Sequence, residues 1–191
     1  MFIVRKDQLK LVEPDSEILK KRPSDFSFNQ YKDDAKSLCN VMLVRMKELG
    51  GIGLSANQVG LDIRMFVMGD EDNHLFVFNP EILEFYGEPD TFREGCLTYP
   101  GLFLNIKRPP SIKVRYQNEK GEMIETIFSG ITSRIFQHEY EHMEGKTFLN
   151  NASKFKLNLA KKKYNNLRKK IIRKHAVKTM VEALNESTKS E

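Results

Sequence analysis

"QHEYEH", residues 137–142, places His138 and His142 four residues apart with Glu139 beside the first. On an α-helix, positions i and i+4 share a face, so both imidazoles can grip one metal ion while the glutamate reaches its bound water. The stretch predicts a helix over about 130–143. Ahead of it run short β-like segments: "IRMFVM" (63–68), "LFVF" (75–78), "EILEFY" (81–86), "LFLNI" (102–106), "SIKVRYQ" (111–117) and "EMIETIFSG" (122–130). "NEKG" (118–121) reads as a hairpin turn between the last two. An earlier helix is predicted over 33–49, where Ala35, Leu38, Cys39, Met42, Met46 and Leu49 recur at helical spacing before Gly50 and Gly51 stop it. Helix, strands, then helix predicts an α+β fold: mostly antiparallel sheets packed around a central metal-binding helix, with a C-terminal basic helix.

Two histidines alone leave a catalytic metal one protein ligand short. The bland alternative is a surface helix that happens to carry two histidines and some acids. One metallopeptidase group continues the pattern as His-Glu-x-x-His-x-x-Gly-x-x-His; this chain follows it to Gly145 but has Phe148 at the last position. Another group takes a glutamate from a later helix, yet no Asp or Glu lies between Gly145 and Val181. His74, in "GDEDNH", and His175, in the basic tail, read as solvent-exposed. Cys96 remains. It lies in "REGCLTYPG", flanked by turn residues rather than on a helical stripe, and a thiolate with two imidazoles is a recognised ligand set for a catalytic divalent ion. Cys39, on its apolar stripe, reads as core.

The chain has 191 residues and 40% hydrophobic content, enough for one domain with a real core. No run approaches the ~18 apolar residues of a membrane helix. "MFIVRKDQLKLVEP" lacks the marks of a signal or transit peptide, so a cytoplasmic protein without membrane attachment is expected. Two cysteines exclude a disulfide framework. The net charge of +5 is uneven: residues 151–191 hold 12 basic and 3 acidic side chains, leaving the first 150 residues acidic on balance. The expected division is a catalytic domain over 1–150 and a basic C-terminal helix or tail over 151–191.

A third segment, "GGIGLSANQVG" (50–60), completes an ordered triplet. Gly51 to Gln58, Glu94 to Thr98 and His138 to His142 together resemble the peptide deformylase family, with Glu141 standing where Asp is usual and Thr98 where Ser is usual. The resemblance implies metal-dependent hydrolysis of the N-terminal formyl group from formyl-methionyl nascent polypeptides. It implies Cys96, His138 and His142 as metal ligands, Glu139 as proton shuttle, and the Gln58 amide with the Leu97 backbone N–H as oxyanion donors. Gly51, Ile52, Gly53, Arg134 and Ile135 are the expected substrate-binding residues. The family commonly uses Fe²⁺, and the same donors accept Zn²⁺, Ni²⁺ or Co²⁺. The competing reading is a metallopeptidase of another lineage.

"KFKLNLAKKKYNNLRKKIIRKHAVK" (154–178) contains no acid, while Leu157, Ala160, Tyr164, Leu167 and Ile171 alternate at spacings of three and four. That pattern predicts a basic amphipathic helix. By resemblance its partner is the ribosome, and the enzyme is expected to act as a monomer. Deletion after about Asn151 is expected to leave hydrolysis of short peptides nearly intact.

Overall fold

In the computed structural model, which describes residues 9–70, 72–152, 155, 157–159, 161–166, 169–170 and 173, the first apolar stripe lies on helix α1 (Phe28–Glu48). Ala35, Leu38, Cys39, Met42 and Met46 are its buried positions. The helix ends with Gly50 N–H donating to Lys47 O (2.9 Å) and Gly51 N–H to Met46 O (3.0 Å), the paired bonds of a glycine stop.

Strands β1 (Gly53–Ser55), β2 (Met65–Gly69), β3 (His74–Tyr86), β6 (Ser111–Gln117) and β7 (Met123–Ser129) form a sheet in the order β1-β2-β3-β6-β7. Strands β4 (Asp90–Gly95) and β5 (Phe103–Arg108) form a separate two-stranded ribbon, and every pairing is antiparallel. β2 is apolar on both sides because both sides are covered. Met65 and Val67 join the α1 cluster on one face of the sheet. Phe66 and Met68 join Val77, Ile112, Val114 and Tyr116 on the other, against Phe136 and Met143 of helix α2 (Gly130–Met143).

The two stretches predicted over 75–78 and 81–86 are one strand, β3. Its register with β6 shifts between Phe78 and Glu81, across Pro80, which has no N–H for the ladder, and Asn79, at φ 48°. The Asn79 carboxamide holds the irregularity, accepting from Phe26 N–H (2.7 Å) and donating to Phe26 O (2.9 Å) and Gln117 Oε1 (2.7 Å).

α2 stops at Gly145 (φ 64°), where Lys146 N–H donates to Glu141 O (2.8 Å). A Cβ at Gly145 would lie 2.8 Å from Lys20 O. The glycine that follows the histidine pair is therefore a helix terminator, whatever wider pattern it completes.

A third apolar cluster gathers Leu102, Leu104, Ile106 and Phe148, with Cys96, Tyr99, Leu149, Ala152 and Tyr164 packed against it. The described tail residues 155, 157–159, 161–166, 169–170 and 173 are helical. Ala160, Leu167, Ile171 and His175, which figured in the sequence reading, lie outside the described residues.

Candidate metal centre

Successive turns of α2 carry His138 and His142, and Cys96 follows directly on β4. The three ligand atoms lie within 4.8 Å of one another. Cys96 Sγ is 3.4 Å from His142 Nε2. A tetrahedral ion with bonds of about 2.3 Å to sulfur and about 2.1 Å to nitrogen places such atoms about 3.6 Å apart, so spacing and donor set fit a divalent transition metal. His74 has no part in this cluster; it is half-buried at the start of β3, edge-on to Phe76.

A buried charge network stands behind His138. Its Nδ1 is 3.1 Å from Glu94 Oε2, which leaves Nε2 for a metal. Arg108 donates to both Glu94 oxygens (2.7 and 2.9 Å), and Arg134 adds a bond of 2.8 Å. Burial alone would raise the Glu94 carboxyl, but the bonds from His138, Arg108 and Arg134 hold it down at about 2. Arg108 also donates to Glu141 (2.5 and 3.1 Å). Burial lowers His138, but its bonds to Cys96 and Glu94 outweigh that and hold it well above its ordinary value. His142 is pushed well below by burial and then by its cationic neighbours.

Glu139 is buried on the same helix. Ser55 Oγ donates to its Oε2 at 2.5 Å, and burial raises its pKa. Gly53 makes the room: a Cβ there would sit 2.4 Å from Glu139 Oε1. Gln58 is fixed at its oxygen end by Ser55 N–H (2.9 Å), which sets which way its amide faces. Its Nε2 then donates to Thr98 Oγ1 (3.0 Å) and lies 3.3 Å from Cys96 Sγ. Thr98 thus supplies the hydroxyl that a Ser there would.

A cleft of about 640 Å³ opens above these groups. Its wall includes Gly51, Ile52, Gly53, Gln58, Cys96, Leu97, Arg134, Ile135, His138 and Glu139, all marked from the sequence, while His142 is buried beneath. Arg134 reaches the wall, but its guanidinium is committed to Glu94 and Asp90. Phe92, Phe103 and Ile131 complete an apolar rim that the sequence did not single out. Glu94, Arg108 and Ser55 were also missed as supports; an acid directly before Gly95-Cys96 was the available hint.

Fold and site define a metal-dependent amide hydrolase. A sequence model of the polypeptide deformylase family matches residues 8–158. The peptide deformylase of Thermotoga petrophila is 39% identical over 146 residues, which is 76% of this chain and 88% of that protein. Among solved structures, the actinonin complex of the Synechococcus elongatus peptide deformylase matches with TM-score 0.77 at 30% identity, covering 82% of this chain and 86% of that one. The Met-Ala-Ser-bound Acinetobacter baumannii enzyme matches with TM-score 0.71 at 32% identity, covering 75% and 98%. This chain belongs to the polypeptide deformylase family, and it removes the formyl group from the N-terminus of formyl-methionyl polypeptides with the help of a single metal ion. A metallopeptidase of another lineage is not favoured.

Proposed function

We propose that Cys96, His138 and His142 hold the metal and that Glu139 moves the proton. The observation that carries this reading is the meeting of three ligand atoms within 4.8 Å at the cleft floor, beside a buried carboxylate on the same helix. A divalent ion bound there brings the pKa of water to about 7 and polarises the formyl carbonyl. Glu139, steadied by Ser55, takes the proton of the attacking water. As the C–N bond breaks, it returns that proton to the departing nitrogen, leaving formate and a free amine. The Gln58 amide and the Leu97 N–H meet the charge that develops on the carbonyl oxygen. The methionine side chain lies among the apolar groups of the cleft, with Gly51, Ile52, Gly53, Arg134 and Ile135 forming the substrate wall.

The native ion in this reading is Fe²⁺, the metal the family commonly uses, at a donor set that accepts Zn²⁺ as well. Elemental analysis after anaerobic purification, beside turnover of formyl-Met-Ala and Met-Ala, tests it. About one iron per active chain and cleavage of the formyl peptide alone are expected. Full activity with zinc as the sole metal sinks the iron assignment, and cleavage of Met-Ala sinks the substrate assignment.

The same reading divides the chain into a catalytic domain over 1–150 and a ribosome-directed tail over 151–191, acting as a monomer in the cytoplasm. No helix among the described residues is long and apolar enough to cross a membrane. Lys161, Lys162, Lys163, Lys169, Lys170 and Arg173 are all exposed on the tail helix, as a phosphate-facing surface requires. Lys162→Glu with Lys169→Glu and Lys170→Glu should abolish low-salt co-sedimentation with bacterial ribosomes and spare hydrolysis of short formyl peptides. Unchanged co-sedimentation removes the ribosome from this reading.

A further inference from the structure

Cys96 sits on a ribbon of only two strands. Such a ribbon is marginal alone and takes its order from whatever packs against it. Part of that support comes from the tail. Tyr99 closes the turn that carries Cys96: its N–H donates to Cys96 O (2.9 Å) and its hydroxyl to Pro14 O (3.2 Å). The Tyr99 ring lies 5.9 Å from Phe148, and Phe148, fully buried, lies 5.6 Å from the His138 ring. Tyr164 meets Tyr99 at 6.4 Å with the rings at 64°. Rings therefore run in contact from the tail helix to a metal-site imidazole, and the Cys96 turn is held between them. Leu157 and Tyr164, seven residues apart and so on one helix face, are half-buried, while the other described residues of the tail helix are exposed. Among the described residues, the tail docks beside the Cys96 turn through Tyr164.

We infer that Tyr164 is a positioning residue for the metal site, bracing the Cys96 turn through Tyr99; this rests on the reading of Cys96, His138 and His142 as ligands. Deletion after Asn151 then removes a brace as well as a basic surface, and is not neutral for the site. The test uses full-length protein loaded with Co²⁺, following loss of thiolate-to-cobalt absorption after a chelator is added, beside thermal unfolding of the metal-free form. Tyr164→Ala should release the ion about tenfold faster, in the range typical for outer partners of metal ligands. Tyr164→Phe, which keeps the ring, should match the unaltered chain. Val114→Ala, in the cluster between the main sheet and α2, which includes no residue of the ribbon, should lower thermal stability without speeding release. Unaltered release from Tyr164→Ala overturns the inference. So does Val114→Ala releasing as fast as Tyr164→Ala, because Tyr164 would then act through stability alone. Cobalt retained by Cys96→Ala overturns the ligand reading instead.

Discussion

Helices α1 and α2 both end at a left-handed glycine, and each covers one face of the main sheet, yet they bury opposite kinds of side chain. α1 buries Ala35, Leu38, Cys39, Met42 and Met46, where removal from water is itself the gain, about 25 cal/mol per Å² of apolar surface. α2 buries Ser133, Arg134, Gln137, His138, Glu139 and His142 beside its two apolar contacts. Each of those polar groups loses water and needs a partner inside, which His142 Nδ1 does not find among the described residues. Gln137 donates to Pro109 O (2.9 Å) and Ser133 Oγ (3.0 Å), and Asn57 donates to His142 O (2.8 Å). α1 is a source of stability, whereas α2 gives some up to hold a reactive centre. The two cysteines repeat the contrast: burial pushes the Cys39 thiol up to about 12, while Cys96 stands 3.4 Å from an imidazole.

Exchange of residues across this contrast should give graded losses. Cys96→Ala should abolish both metal retention and deformylation; one equivalent of metal with normal turnover would erase the distinction between the cysteines. Glu139→Gln should keep the metal, by elemental analysis, and lower turnover by roughly 10²- to 10⁴-fold. Loss of metal there would make Glu139 a support of the ion rather than a proton carrier. Cys39→Ala should leave turnover unchanged and cost about 1 kcal/mol in denaturant unfolding, the scale of a small core deletion. A thiol reagent that modifies Cys39 in the folded protein as fast as Cys96 in the metal-free protein would show that α1 is no inert scaffold.

What could be read from the sequence follows the same line. α1, β2, β5 and β6 show apolar runs or alternation because one face or both is buried, whereas α2 was marked by the spacing of its histidines. β1 and β4 show none. β1 has three residues and begins with a glycine, and "DTFREG" of β4 leaves all but Glu94 exposed. The break at Asn79-Pro80 read as a boundary because a proline usually ends a strand; tertiary bonds to Phe26 and Gln117 carry the strand through. In the site, ligand chemistry and helical spacing marked Cys96, His138, Glu139 and His142. Their supports were hidden, since Ser55 meets Glu139 across 84 positions and Glu94 meets His138 across 44. Gly53 was expected only as a substrate-binding residue, but the Glu139 carboxylate beside it is what excludes a side chain.

The ribbon is separate from the main sheet on which α2 packs, so an ion held by both Cys96 and His138 would tie off a loop of roughly forty residues, as a disulfide does. In chain-entropy terms such a closure disfavours the unfolded ensemble by about 4 kcal/mol. An ion held there would then also be a fastener. Its withdrawal should quicken amide hydrogen exchange in β4 and β5 ahead of β2 and β3; equal quickening throughout would mean that the ion secures no one region. Loss of metal would then show first as a chain opening at one seam, before any change in the rest of the fold.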